Sequence, residues 1–207
     1  MKGLLLKDFY MMIKYCRITL AVSVMFLVLA FFNDSLFILF YPSMICGLIP
    51  TTLLAYDERS RWLQYSMTMP YTKTQIVSSK YLIGLISQSL MLLVIAAVQA
   101  IKTSMSGAFM LREYLTMMML VAILSLFSSS VSLPFIFKLG VEKGRIAYYV
   151  MVGVACALSA GTSVLLSDET PQPVAFDAVL PVLLLIVAGI YALSWYLSVV
   201  FFKKREL

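Results

Sequence analysis

Histidine is absent from this chain of 207 residues, and cysteine occurs only three times. Without histidine, the chain has neither the Ser/His/Asp constellation of hydrolases nor a zinc site with imidazole ligands. The cysteines at positions 16, 46 and 156 are isolated from one another, which gives no metal-ligand spacing. A phosphate-binding GxxxxGKS/T loop is also missing. We therefore predict that the chain is not an enzyme and holds no cofactor or metal of its own.

Charged residues are also scarce, at 13% of the chain against about 25% in soluble domains. Hydrophobic residues make up 62%, and the mean hydropathy is +0.96. A soluble protein with a large helical core would need amphipathic helices as its outer layer, and no amphipathic helices remain in the sequence to form one. This composition predicts an all-α integral membrane protein with a single transmembrane domain over residues 1–207.

Apolar runs long enough to cross a bilayer, which takes about 20 residues, occur six times. They cover about residues 15–32, 36–56, 81–101, 115–137, 146–166 and 178–202. In lipid the backbone must form its hydrogen bonds internally, so each run predicts a transmembrane helix. The ten acidic residues lie at span ends, in loops or at the termini. This placement argues against transport driven by an ion that binds a buried carboxylate.

Positive charge is distributed unequally between the two sides that six spans create. Lys102 and Arg112 fall on one side, and the other fourteen Lys and Arg residues fall on the opposite side. Because short cytoplasmic loops retain Lys and Arg, both termini and the loops at 57–80 and 138–145 are predicted to be cytoplasmic. Topology thus explains the net charge of +6, and the sequence predicts no nucleic-acid partner.

Residues 1–14 precede the first span and have a helical pattern of their own. Apolar residues cover most of the projected helix, although Asp8 falls among them. The pattern predicts an interfacial helix on the inner leaflet that enters the first span at an angle. A straight extension of the first span is the alternative. The polar arc consists of Gly3, Lys7, Tyr10, Lys14 and Arg17.

The loop at 57–80 carries an aromatic pattern between two spans. Asp57 and Glu58 open it, and acidic residues are favoured at a helix N-terminus. The pattern predicts a short amphipathic helix over 58–69, parallel to the membrane, which serves either for partner contact or as an interfacial anchor. Its apolar stripe, at i, i+3 and i+7, consists of Trp62, Tyr65 and Met69.

Two signals mark the end of this loop. Pro70 cannot continue a helix, so we expect the amphipathic helix to end there. Thr72 and Gln75 then fit a capping box, which predicts that the helix of the third span begins near Lys73, still in the cytoplasm.

Polar residues inside the third and fourth spans have two interpretations. Small and hydroxylated residues on membrane helices serve close helix packing, but they can also line a translocation route between two protomers. The sequence leaves both open for Gln88, Ser125, Ser128, Ser129 and Ser132.

A series of short motifs follows one another along the chain. They are Leu6-Lys7-Asp8, Asp57-Glu58 with Trp62 and Tyr65, Met69-Pro70, Lys80-Tyr81, Phe137-Lys138-Leu139-Gly140, Glu142-Lys143-Gly144-Arg145, Leu197-Ser198 and Lys203-Lys204-Arg205-Glu206. Each motif alone is weak, but their order and spacing cover the whole chain. Together they resemble the type-two (ABC-2) ABC-transporter permeases, in particular the compact six-span bacterial group that includes the phenol-soluble-modulin exporter permeases.

The resemblance implies that the loop at 57–72 holds a coupling helix, which sits on a separate ATP-binding subunit, and that residues 1–14 form the elbow helix of the family. It also implies a dimer with a second copy or a homologous permease, with ATP and Mg²⁺ on the partner subunit, in the bacterial cell membrane. The residues expected at the ATPase interface are Asp57, Glu58, Arg59, Arg61, Trp62, Tyr65, Met69, Glu142, Lys143 and Arg145.

Membership of this group further implies the export of amphipathic or antimicrobial peptides. Two other classes remain as alternatives. A substrate-binding subunit of another membrane transporter would show a conspicuous polar pocket in its outer half, and the sequence shows none. A non-transport membrane protein with enzymatic activity would need convergent His, Glu or Asp residues, which are also missing.

Overall fold

A computed structural model of the chain describes residues 2–32, 36–66, 68–69, 71–105, 111–144, 146, 149 and 176–204. Over these residues the regular secondary structure is helical, without a strand. The prediction of an all-α membrane protein is confirmed. The helices are α1 Lys2–Tyr15, α2 Arg17–Phe32, α3 Leu36–Gly47, α4 Ile49–Arg59, α5 Trp62–Ser66, α6 Lys73–Met105, α7 Leu111–Leu139 and α8 Phe176–Lys204.

Four stretches of the described residues are long and apolar enough to cross a membrane. They are Ile38–Arg59, Lys73–Met105, Tyr114–Leu139 and Leu180–Lys204. The bent pair of α1 and α2 makes a fifth if it counts as one span. The predicted span at 146–166 lies outside the described residues except for positions 146 and 149. The count of six spans therefore stays a prediction.

The first two helices meet at Cys16 with a bend of 68°, so α1 is not a straight extension of α2. Leu4 and Asp8 are buried on one side of α1, while Leu6 and Phe9 are exposed. The buried position of Asp8 explains why an acidic residue interrupts the apolar pattern, because this side chain points toward other helices. The interfacial location of α1 stays a prediction.

The second predicted span consists of α3 and α4, which are separated at Leu48. Pro50 has no N–H, so the Cys46 carbonyl lacks its usual helical donor. The Ser87 hydroxyl donates to that carbonyl instead, at 3.1 Å. A Cβ at Gly84 would lie 2.8 Å from Pro50 Cγ. The absence of a side chain at Gly84 therefore lets α4 and α6 pack closely.

The helix α6 is continuous over 33 residues, which is about 50 Å at 1.5 Å per residue and exceeds the hydrocarbon core of about 30 Å. The predicted capping box at its start is confirmed. The Gln75 N–H donates to Thr72 Oγ1 at 3.3 Å, and the Thr72 N–H donates to Gln75 Oε1 at 3.2 Å. The helix α6 is therefore longer than a bilayer requires, and its first turns lie beside the end of α4.

Hydroxyl groups fix α8 against its neighbours. The Tyr81 hydroxyl of α6 lies 2.7 Å from both Ser194 Oγ and Ser198 Oγ. The Tyr191 hydroxyl donates to the Tyr81 carbonyl at 3.0 Å, and Ser194 Oγ donates to the Ser130 carbonyl of α7 at 2.6 Å. Such interhelical hydrogen bonds hold membrane helices together where water is absent.

Candidate functional site

Two loops that are distant in the sequence meet at one end of the helix bundle. The first follows α4, which ends at Arg59. The second follows α7, where Gly140 turns the chain with a φ of 83°. Glu58 Oε2 accepts a hydrogen bond from the Val141 N–H at 3.3 Å. This bond joins the two segments, so that Glu58 and Arg59 line one cleft together with Glu142 and Lys143.

An open cleft of about 920 Å³ lies between the two segments. Arg59, Glu142 and Lys143 at its rim are exposed, and Glu58 is half-buried. We use the name loop face for the cleft residues Glu58, Arg59, Glu142 and Lys143 together with exposed Arg61 and Tyr65 of the first loop. Arg145, which was predicted to belong to the same interface, lies outside the described residues.

The helix α5 covers only Trp62–Ser66 and is shorter than the predicted helix over 58–69. Arg61 has a φ of 54°, a left-handed conformation that separates α5 from α4. Met69 is half-buried in a turn after α5. Pro70, which was expected to end the helix, lies outside the described residues. The loop therefore presents a single helical turn followed by a bend.

The aromatic stripe of this loop divides between the interior and the surface. Trp62 is half-buried and packs against the core cluster that contains Leu54 and Ile76. Lys7 Nζ lies 3.4 Å from the centroid of the Trp62 ring, which is a cation–π contact. Tyr65, in contrast, is 60% exposed. Trp62 thus anchors α5 to the chain itself, and Tyr65 is available to a partner.

A group of buried charges lies behind α5, and we call Lys7, Asp8, Asp57 and Lys80 the charge cluster. Lys80 Nζ lies 2.7 Å from Asp8 Oδ1 and 2.6 Å from Asp57 Oδ2, and these three side chains are each 1% exposed. Lys7 Nζ lies 2.6 Å from Asp57 Oδ1. Burial lowers the pKa of Lys7, and the Lys80 charge acts in the same direction, while Asp57 opposes it. Two ammonium groups balance two carboxylates, as buried charges require.

The prediction that Asp57 and Glu58 open the amphipathic helix was wrong. Both lie in the last turn of α4, Ile49–Arg59, where the helix dipole disfavours a carboxylate. Ion pairs with Lys80 and Lys7 stabilise Asp57 there. Since these pairs bury Asp57, its side chain lies behind the loop face and not on it.

Among the span residues, Gln88 connects α6 with α7. Its Nε2 donates to the Ser125 carbonyl and to Ser129 Oγ, each at 2.8 Å. A Cβ at Gly47 of α3 would lie 2.5 Å from Gln88 Nε2 and 2.3 Å from Ser129 Oγ. Three helices thus converge at this point, and the contacts of Gln88, Ser125 and Ser129 are those of close helix packing.

A second cavity, of about 490 Å³, lies among α2, α3, α4 and α7. Ser132 borders this cavity, and Ser128 is half-buried elsewhere on α7. Over the described part of the chain, no three Cys, Asp or Glu side chains are grouped to hold a metal ion. The hydroxyl groups in the otherwise apolar wall of the cavity belong to Thr19, Tyr41, Thr51, Thr52, Ser132 and Tyr149.

Comparison with protein-family models connects these features to a known class of protein. Residues 3–203 match the family model described as ABC-2 family transporter protein. The chain belongs to the ABC-2 transporter family. Neither curated proteins nor solved structures give a significant match. This ABC-2 protein is a multi-pass membrane permease component of an ABC transporter, and its family implies an ABC ATPase as a partner.

Proposed function

We propose that this ABC-2 permease is the membrane-spanning subunit of an exporter and that it docks a separate ATP-binding subunit on the loop face. The bond between Glu58 and Val141, which brings the two loops together around one cleft, is the observation that carries the proposal. ATP and Mg²⁺ belong to the partner subunit. The permease lies in the bacterial cell membrane with both termini in the cytoplasm.

The loop face has side chains suited to protein contact. Arg59, Arg61 and Tyr65 are exposed, and Arg and Tyr are enriched at interface hot spots. Glu142 and Lys143 add charges of both signs from the second loop. A ridge of the partner that enters the cleft contacts both loops at once, so its movement acts on α4 and α7 together.

The other predicted interface residues act from behind this surface. Trp62 and Asp57 hold α5 and the end of α4 in place through Lys7. Met69 is half-buried, and its N–H donates to the Ser66 carbonyl in the turn after α5. We therefore assign partner contact to Tyr65 and the arginines, and assign the orientation of the loop to Trp62 and Asp57.

The translocation route in this proposal runs between the permease and a second copy or a homologous permease. Ser132, which borders the apolar cavity, is better suited to line it than Gln88, Ser125 and Ser129, since those three are engaged in helix packing. Half-buried Ser128 of α7 is also proposed for this lining. The apolar cavity with hydroxyl groups in its wall supports amphipathic cargo such as antimicrobial peptides. The family match favours a permease over the alternative of a substrate-binding subunit.

Hydrolysis of ATP tests this division of roles. The purified permease in nanodiscs is expected neither to bind nor to hydrolyse ATP, because it has no P-loop. When the ABC ATP-binding subunit that co-purifies with the permease from cells is added back, the complex is expected to release phosphate from ATP. Hydrolysis that persists in the permease after removal of all ATPase chains would contradict the proposal.

A further inference from the structure

The charge cluster joins three separate parts of the permease. Asp8 belongs to α1, Asp57 to the last turn of α4, and Lys80 to the second turn of α6. The single ammonium of Lys80 contacts both carboxylates, at 2.7 and 2.6 Å. Ser79 Oγ, the neighbour of Lys80, adds a hydrogen bond to Asp8 Oδ2 at 3.4 Å. Lys80 is therefore the point at which α6 is linked to both other helices.

The cluster continues toward the loop face. Lys7 Nζ contacts Asp57 Oδ1 at 2.6 Å and lies 3.4 Å from the Trp62 ring centroid. Trp62 is the first residue of α5, and exposed Tyr65 lies in the same short helix. A continuous series of contacts thus connects α5 with α1 and α6.

The link also extends into the membrane. Tyr81 directly follows Lys80, and its hydroxyl lies 2.7 Å from Ser194 Oγ and from Ser198 Oγ of α8. The helix α6 runs without a break from Lys73 to Met105. The start of α6 is therefore connected both to the rest of this helix and to α8.

The stability of the fold alone does not explain why the charge cluster is buried between these helices. Well-packed apolar side chains of similar volume usually stabilise a buried site as well as an ion pair does. What the ion pairs add is a fixed geometry, because each carboxylate must keep its donor. We propose that Lys80 is a positioning residue that makes α1, α5 and the start of α6 move as one unit. The claim that this unit transmits movement of the ATPase rests on the proposed function. The claim that the three elements move together does not depend on it.

Distances between spin labels, measured in the full-length permease in nanodiscs, test whether these elements move as one unit. One label replaces exposed Tyr10 on α1, and the other replaces exposed Thr68 after α5, in a parent whose native cysteines are changed to alanine. The matched control is Lys138→Met, which removes an exposed ammonium at the end of α7, away from the charge cluster.

The test variant is the neutral quadruple variant Lys7→Met/Asp8→Asn/Asp57→Asn/Lys80→Met, because all four side chains of the charge cluster must be changed to leave no unpaired charge. It removes the paired charges at nearly constant volume, so it is expected to fold, whereas Lys80→Met alone would leave buried carboxylates short of a partner. Folding is verified by a monodisperse elution profile. The neutral variant therefore separates the positioning role of the charges from a general loss of structure.

The distance distribution between the labels is expected to be narrow in the parent and in Lys138→Met. In the folded neutral variant it is expected to be about twofold broader, because α5 and α1 fluctuate separately once the link is lost. Equal widths in all three proteins would overturn the proposal.

A second label pair, at Tyr10 and at exposed Leu115 on α7, follows transmission in the complex with the ATP-binding subunit. Addition of ATP is expected to shift this distance in the parent but not in the neutral variant, although both retain the subunit. A shift of the same size in both would overturn transmission through Lys80. Failure of the parent to bind the subunit would instead contradict the proposed docking function. The widths of the first pair's distance distributions would still test whether α1, α5 and the start of α6 move as one unit.

Discussion

Substitution of Gly47 by alanine adds a single methyl group and tests how closely α3 packs against α6 and α7. Gly47 lies at the end of α3, opposite Gln88 and Ser129. The added Cβ would be 2.5 Å from Gln88 Nε2 and 2.3 Å from Ser129 Oγ, and real Cβ contacts essentially never fall below 3.0 Å. The side chains must therefore separate, and Gln88 loses its 2.8 Å hydrogen bonds to α7.

The size of the effect follows from these contacts. Overpacking of a rigid core costs about 1–3 kcal/mol, and interhelical hydrogen bonds in membranes contribute about 0.6 kcal/mol each. Alanine recovers up to about 1 kcal/mol through its higher helix propensity. We expect Gly47→Ala to lower the free energy of unfolding by about 1–3 kcal/mol.

Reversible unfolding in mixed micelles measures this free energy. Gly189→Ala is the matched control, because a Cβ there has no neighbour within 4 Å, and it is expected to be neutral or stabilising by up to about 1 kcal/mol. The double variant Gly47→Ala/Ser129→Ala removes one obstructing atom and should recover part of the loss. Equal stability of Gly47→Ala and Gly189→Ala would refute the packing of Gln88 and Ser129 against α3.

Two further predictions concern topology and the loop. In a variant without native cysteines, an impermeant reagent added outside sealed cells is expected to label a cysteine at position 170 but not one at position 60; labelling at position 60 would reverse the predicted orientation. Trp62→Ala is expected to lower the free energy of unfolding of the permease by about 2 kcal/mol, because it removes a large side chain that is half-buried against the core, while exposed Tyr65→Ala should change it by less than about 0.5 kcal/mol. Equal unfolding midpoints would show that Trp62 does not anchor α5.

Local sequence patterns predicted the features that depend on nearby residues. Apolar runs long enough for a bilayer gave the fold class, and the spacing of Thr72 and Gln75 gave the capping box and the start of α6 at Lys73. Both signals depend only on chain-local chemistry, so they do not require knowledge of which helices are neighbours.

Features that depend on distant residues were missed. Asp57 resembles a helix-opening residue in the sequence, but its partner Lys80 is 23 residues away, and Asp8 is 72 residues from Lys80. Helical projection likewise could not show that Lys7 covers the Trp62 ring. The one local signal for the cluster was Asp8 on the apolar side of α1, an acidic residue that needs a buried partner in a membrane protein.

Retention of the ATP-binding subunit by loop-face variants tests the central claim most directly. Arg59→Ala/Tyr65→Ala removes two exposed side chains and is expected to cost on the order of 2 kcal/mol or more of binding free energy, which is about 30-fold in the dissociation constant. Gln64→Ala and Thr68→Ala, also at exposed positions of this loop, are the controls and should retain the subunit. Loss of the subunit from a folded double variant is the predicted result, and undiminished co-purification would contradict docking on the loop face.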